Sequence, residues 1–215
     1  MPEQYRPKFH FTPEANWIND PNGLVYSEGR WHLFAQYHPN SNDWGPMHWC
    51  HAVSVDLVNW ERLPVALTPD ELGMIFSGSA VIDHENRSGF GVGGTAPMVA
   101  MFTHHGDHEQ QSIAYSNDGI HFEKYTENPV ISNNTRPDFR DPKVLENPVL
   151  GGWSCVVAAG DCVEFYHSEN LKDWKQTGVF HFEHEQTKGV WECPDLFRLP
   201  TEEGDKWVLL CSNGV

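Results

Sequence analysis

The 215-residue sequence predicts an all-β fold. Short apolar or alternating runs are separated by polar turns that carry glycine or proline, and no window keeps the helical period of about 3.6 residues for three turns. Each run has the length of a single strand. In chain order the runs span residues 23–26, 31–37, 48–54, 79–83, 98–104, 111–116, 153–159, 162–168 and 207–212.

A weak internal repeat organises these runs. A strand that ends in serine is followed by a polar turn and, six residues after the serine, by an aromatic side chain. Units of about 50 residues with about four short strands each are typical of β-propeller blades, whereas a β-sandwich would not explain why the same turn recurs. The three instances are Ser54 with Trp60, Ser116 with Phe122, and Ser168 with Trp174.

The repeat divides residues 1–215, taken as one partial propeller domain, into blades. Propeller geometry places the innermost strand of each blade along a central channel, so residues at matching positions converge although they are distant in sequence. By the repeat count we expect three complete blades and part of a fourth. Their approximate ranges are 17–66, 74–126, 137–180 and 190–215, the last incomplete.

The charge balance excludes several classes of partner. Thirty acidic against fourteen basic side chains give a net charge of −16, so we expect neither nucleic acid nor a membrane as a partner. The longest apolar runs, residues 98–102 and 207–211, are about a quarter of a membrane span. The N-terminal segment lacks the basic start and apolar stretch of a secretory signal, which predicts a cytoplasmic location.

Cysteine and histidine give little support for a metal site. Five cysteines without a C-x-x-C pair predict reduced thiols and no structural zinc. His104, His105 and His108 cluster, but the sequence suggests a polar loop with no apolar frame to fix ligand geometry. We therefore expect no metal and no other cofactor.

Three acidic residues share an unusual local setting. Asp20 in WINDPNG, Asp141 in FRDPKVL and Glu192 in VWECPDLF each precede a proline by one or two residues. Proline restricts the preceding backbone and so aims a carboxylate in a definite direction. Each acid alone could be an ordinary turn residue, but three at the starts of successive β units predict a shared catalytic site.

Four segments in this order resemble glycoside hydrolase family 32, the β-fructofuranosidases, which include invertases, sucrose-6-phosphate hydrolases, inulinases and levanases. The resemblance runs from about Phe9 to the last residue. The segments are WINDPNG, FSGSAV at 76–81, RDP at 140–142 and WECPDLF at 191–197.

The resemblance implies a five-bladed propeller whose funnel binds a terminal fructose. It makes Asp20 the nucleophile, Asp141 the transition-state stabiliser and Glu192 the general acid/base of a retaining hydrolysis through a covalent fructosyl-enzyme intermediate. Glu192 must hold a proton, which the apolar surroundings of Trp191 and Cys193 could favour. Asp20 must stay ionised, which hydrogen bonds from Asn19 and nearby backbone groups could favour.

Further positions match the family's fructose pocket. Without the resemblance, Gln36 could be a strand-edge amide and Ser77 a turn residue, while Trp44, in a polar loop with little core to enter, suits stacking on a sugar. The matching positions are Trp17, Asn19, Gln36, Trp44, Phe76, Ser77 and Arg140.

The chain falls short of the full family pattern. It covers about three and a half blades and no C-terminal β-sandwich, so we expect a truncated propeller whose exposed sheet edges could pair with a second copy or a complementing chain. Two alternatives to hydrolysis stay open: a non-catalytic module for fructan or sucrose binding or for assembly, and a fructosyltransferase. The sequence does not decide among sucrose, sucrose 6-phosphate and fructo-oligosaccharides as the small carbohydrate that it binds.

Overall fold

The computed structural model describes residues 4–182 and 189–214, which form strands and turns without a helix. The all-β prediction is therefore confirmed. Among these residues there is no helix that is long and apolar enough to cross a membrane.

The strands form four sheets. The first sheet holds β1 (Trp17–Ser27), β2 (Arg30–His38), β3 (His48–Ser54) and β4 (Glu61–Leu67); the second holds β5 (Met74–Ile82), β6 (Met98–His105), β7 (Glu109–Ser116) and β8 (Glu123–Lys124). The third holds β9 (Arg140–Glu146), β10 (Trp153–Ala158), β11 (Cys162–Ser168) and β12 (Lys175–His181), and the fourth holds β13 (Val190–Leu199) and β14 (Lys206–Gly214).

Every sheet is an antiparallel meander in which strands follow one another in chain order. The first strands pack against each other in series, β1 on β5, β5 on β9 and β9 on β13. Sheets arranged around a line of first strands are the blades of a β-propeller. The count of five blades, which the resemblance implies, stays a prediction.

The recurring turn joins the third and fourth strands of each four-stranded sheet. In the first sheet, the Ser54 hydroxyl donates to Asp56 Oδ1 at 3.0 Å, and the same oxygen accepts the backbone N–H of Val58 and Asn59. A side chain that satisfies the backbone in this way fixes a tight turn locally. Ser116 with Asp118, and Ser168 with Asn170, repeat the arrangement; we call these three segments the outer turns.

The backbone of the outer turns is also repeated. The third residue after each serine has a left-handed conformation, which glycine adopts without strain and other residues adopt rarely. Two of the three outer turns nevertheless have leucine at this position. The residues are Leu57, Gly119 and Leu171, with φ of 62°, 68° and 64°.

The hydrophobic core lies between neighbouring sheets. Strand β10 shows how one strand serves two interfaces, because successive side chains of a strand point to opposite faces. Cys155 and Val157 pack toward the second sheet, whereas Val156 and Ala158 pack toward β13 and β14, where they meet Trp191. Burying each large apolar side chain contributes about 1.5–3 kcal/mol, and these layers hold the first strands in place.

Candidate active site

The innermost strand of each sheet is irregular where it reaches one end of the central channel. Pairing is interrupted between Ile18 and Pro21 in β1, between Ile75 and Gly78 in β5, between Arg140 and Lys143 in β9, and between Glu192 and Asp195 in β13. A β-bulge of this kind redirects a side chain and is common next to active sites. We call these four places the inner bulges.

Two residues of the inner bulges have left-handed backbone conformations. Asp141 has φ of 63° and Cys193 has φ of 49°. Such conformations cost about 1–3 kcal/mol for residues other than glycine and persist only when surrounding contacts hold them.

A pocket of about 370 Å³ opens at the inner bulges and brings all three predicted acids together. Asp20, Asp141 and Glu192 come from the first, third and fourth sheets, while the second sheet contributes Phe76 and Ser77. The expectation that the acids begin successive β units is therefore wrong in this detail. The remaining lining residues are Asn19, Gln36, Trp44, His105, Glu109, Pro137, Asp138 and Arg140.

Asp20 is exposed to the pocket, and two hydrogen bonds in series from buried side chains orient its carboxylate. The hydroxyl of Ser77 donates to Asp20 Oδ2 at 3.0 Å, and the amide of Gln36 donates to the Ser77 oxygen at 3.2 Å. Asn19 was expected to donate to Asp20, but its carbonyl oxygen instead accepts the indole N–H of Trp17 at 2.7 Å. The hydroxyl donor comes from the neighbouring sheet because β1 and β5 lie side by side.

Asp141 is the buried member of the three acids, with 7% of its surface exposed. Its Oδ2 accepts the backbone N–H of Cys193 at 2.8 Å, and its own N–H donates to Thr103 Oγ1 at 3.1 Å. Burial raises the pKa of Asp141 to about 6; Cys193 and Arg140 oppose the rise, and the charges of the two other acids add to it. Burial is therefore the main cause of the raised pKa of Asp141.

Glu192 and Arg140 pair across the pocket. The Arg140 Nε donates to Glu192 Oε1 at 3.2 Å, and its Nη1 donates to Asp138 at 2.8 Å and to both oxygens of Glu109 at 3.0 Å. Burial acts to lower the pKa of Arg140, but its hydrogen bonds and charge interactions with Asp138 and Glu109 raise the pKa above the ordinary range. The guanidinium is thus a fixed positive charge beside Glu192.

The Trp191 side chain does not border Glu192 as the sequence suggested. The Trp191 side chain packs in the core against Val156 and Val163, on the other face of the strand, and does not line the pocket. Adjacent residues of a strand face opposite sides, so a neighbour in sequence is not a neighbour in space. Cys193 donates its backbone N–H to Asp141, and its thiol also hydrogen-bonds to that carboxylate.

One side of the pocket is aromatic. Trp44, 52% exposed, meets Phe76 edge to face at 5.9 Å between ring centroids. Phe76 in turn stacks on His105 at 4.2 Å with planes 12° apart. We call Trp44, Phe76 and His105 the aromatic wall, which offers the kind of surface that covers a sugar face. Trp17 does not line the pocket, and its indole N–H donates to Asn19.

Sequence reasoning missed His105 and Glu109. The prediction of a polar loop at His104 and His105 is wrong, because strand β6 continues through both residues. His104 is fully buried, and His105 reaches the pocket. The apolar run that leads directly into His104 and His105 was the available signal. Glu109 gave none, since a charged residue that opens a strand is commonplace.

Comparison with known proteins adds family information to this geometry. Residues 10–215 match the model of the glycosyl hydrolases family 32 N-terminal domain. The chain is 56% identical to a levanase of Bacillus subtilis and 43% identical to an extracellular exo-inulinase of Aspergillus niger, over 99% and 96% of its own length. It covers 32% and 44% of those two proteins.

The chain is also similar in structure to a solved protein. The β-fructofuranosidase of Schwanniomyces occidentalis, complexed with fructosyl-erythritol, superposes with a TM-score of 0.89 at 40% identity. The match covers 96% of this chain and 42% of that one. The chain therefore spans less than half the length of the relatives that it matches.

Proposed function

The chain belongs to glycosyl hydrolases family 32, and on this premise we propose that it is a retaining β-fructofuranosidase acting on sucrose or sucrose-like substrates. One observation carries the proposal: Asp20, Asp141 and Glu192, from three different sheets, line a single pocket. Retaining hydrolysis needs one carboxylate to attack the anomeric carbon and another carboxyl group to protonate the leaving oxygen. Similarity to a levanase, an exo-inulinase and a β-fructofuranosidase supports a fructosyl group as the part recognised.

In the first step Asp20 attacks the anomeric carbon of fructose. The Ser77 hydroxyl engages Oδ2 at 3.0 Å, which leaves Oδ1 as the attacking atom. As the new C–O bond forms, the glycosidic bond breaks, and Glu192 gives its proton to the leaving oxygen. The product of this step is a fructosyl ester of Asp20 and a free aglycone alcohol.

In the second step water releases the fructose. Glu192, now a carboxylate, takes a proton from water, the water oxygen bonds to the anomeric carbon, and the ester bond to Asp20 breaks. Transfer to another sugar would use the same ester with an alcohol in place of water. Product analysis at high sucrose concentration separates these two outcomes.

Asp141 and Arg140 stabilise charge and take no part in making or breaking covalent bonds. An ionised Asp141 stabilises the positive charge that develops on the fructose ring. Because its pKa is about 6, the carboxylate predominates only above that pH. Arg140, held by Glu109 and Asp138, keeps a donor beside Glu192 throughout the cycle.

The test compares variants of the intact protein in a sugar-release assay with sucrose. Asp20→Asn should lower kcat by about 10⁴-fold or more, and Glu192→Gln by about 10²- to 10⁴-fold, with unchanged thermal unfolding. The matched control is Asp56→Asn in an outer turn, where Asn170 already fills the equivalent place in the third sheet. Near-normal turnover by either pocket variant would show that the assigned roles are wrong.

A binding experiment distinguishes catalysis from recognition alone. Calorimetric titration of Asp20→Asn with sucrose should show saturable binding without release of fructose. If the unmodified protein also binds sucrose without turnover, the chain is a binding module and the proposal fails.

A further inference from the structure

Glu109 is a buried carboxylate that lies behind the reacting groups. It is the first residue of β7 and is 4% exposed. Its oxygens accept the backbone N–H of Phe139 at 2.7 Å, Nδ1–H of His105 at 3.0 Å and Nη1–H of Arg140 at 3.0 Å. Four hydrogen bonds from three residues leave this carboxylate no rotational freedom.

The first of its links runs to the catalytic acid. Arg140 has a long side chain that would sample many rotamers if it were free. Glu109 and Asp138 both bind its Nη1, so that Nε and Nη2 point at Glu192 Oε1, 3.2 Å away. Glu109 therefore determines where the positive charge beside Glu192 sits.

The second link runs to the aromatic wall. His105 donates to Glu109 and stacks face to face on Phe76, which carries the edge contact with Trp44. Glu109 thus connects the surface that would cover the sugar with the guanidinium that holds the acid.

We propose that Glu109 is a positioning residue that sets the distance between the aromatic wall and the Arg140–Glu192 pair. The inference rests on the proposed function, because it assigns Glu109 a part in the same fructosyl transfer. Reactive groups must be held within a fraction of an ångström of their productive geometry, and fixing them in advance removes that cost from the barrier.

Charge balance supports the same role. Burial acts to raise the pKa of Glu109, but His105, Phe139 and Arg140 lower it below the ordinary value, so the group is ionised at neutral pH. An ionised Glu109 compensates the charge of Arg140. Without it the net charge of the pocket becomes more positive by one unit, and Arg140 keeps Asp138 and Glu192 as partners.

The experiment replaces Glu109 with the isosteric amide in the intact protein. Glu109→Gln should lower kcat for sucrose by about 10- to 100-fold while KM changes less than threefold. The loss of one negative charge changes the electrostatic potential of the whole pocket, so the kcat/KM profile should move to lower pH. A purely structural role would move neither quantity.

A second buried carboxylate supplies the control. Glu164 is 7% exposed, accepts from Arg136 at 2.7 Å and from the Tyr166 hydroxyl, and lies outside the pocket lining. Glu164→Gln should lower the melting temperature about as much as Glu109→Gln but leave kcat and the pH profile unchanged. Equal kinetics in the two variants would overturn the proposal.

A milder variant covers the case in which Glu109→Gln does not fold. His105→Phe keeps a ring against Phe76 and removes one hydrogen bond to Glu109, at a site where the side chain is 36% exposed. It should lower kcat by about 3- to 10-fold, and normal kinetics would again overturn the proposal. If Asp20→Asn loses activity while the Glu109 variant keeps normal kinetics, the proposed function stands and only the positioning role is rejected.

Discussion

The outer turns and the inner bulges are both repeated from sheet to sheet, but they repeat different things. The outer turns keep side chains and backbone together: a serine, then an aspartate or asparagine, then a left-handed residue. The inner bulges keep the interruption in strand pairing, but the residues that they present are Asp20, Ser77, Asp141 and Cys193. One irregular backbone thus supports several chemical groups.

The two regions also differ in the range of their contacts. Bonds of the outer turns join residues two to three positions apart. Bonds of the inner bulges cross between sheets: Ser77 reaches Asp20, and Cys193 reaches Asp141. Substitutions in the inner bulges should therefore affect several sheets at once, whereas those in the outer turns should stay local.

The largest effect of a substitution in the inner bulges should come from adding a methyl group. Gly78 follows Ser77 in β5, and a Cβ there would lie 2.0 Å from the carbonyl oxygen of Met101. Because the obstacle is backbone, Gly78→Ala should lower the free energy of unfolding by about 3 kcal/mol or more. Chemical denaturation of Gly178→Ala, in outer strand β12 with open space around the new Cβ, should show a change within about 1 kcal/mol. Similar losses in both variants would contradict the comparison.

Asp141→Asn should produce the next effect, and it should depend on pH. Asp141 has a pKa of about 6 in the folded protein against 3.8 as its ordinary value, so its ionisation costs stability as pH rises through this interval. The variant should be more stable than the parent by about 3 kcal/mol above pH 6 and similar to it below about pH 4. Urea unfolding across pH 3.5 to 7.5 measures the difference; a constant difference would exclude the ionised, buried carboxylate as its cause.

A hydroxyl substitution gives the smallest contrast. Ser79 in β5 accepts the N–H of Val144 and donates to the carbonyl of Pro142, both at 2.8 Å, and so ties the second sheet to the third. Ser79→Ala leaves two buried groups unpaired and should cost about 2 kcal/mol. Ser168→Ala removes only bonds to Asn170 within the same outer turn and should cost about 1 kcal/mol. The reverse order in thermal unfolding would contradict the local character of the outer turns.

The sequence was sufficient for features that depend on neighbours along the chain. Alternating runs predicted the strands, and the serine of each outer turn marked the repeat because its bonds reach only two or three residues ahead. The proline-flanked acids Asp20, Asp141 and Glu192 marked the pocket because each sits at a backbone irregularity that proline helps to create.

The predictions that were wrong or missing concern features that depend on strand register and on contacts between neighbouring sheets. Trp191 was placed beside Glu192 because the two are adjacent in sequence, yet strand geometry sends its side chain into the core. The donor to Asp20 is Ser77, 57 positions away, and the carboxylate that fixes Arg140 is Glu109, 31 positions away. Such partners become visible only once the packing of neighbouring sheets is known.

Trapping the sugar on the protein tests the central claim most directly. The intact Glu192→Gln protein, which cannot supply the base for the second step, is incubated with a fructosyl donor that has a good leaving group, quenched in acid and digested for peptide mass mapping. We expect one fructosyl adduct, on the peptide that carries Asp20. An adduct on Asp141 or at position 192, or turnover with no adduct at any time point, would contradict the account.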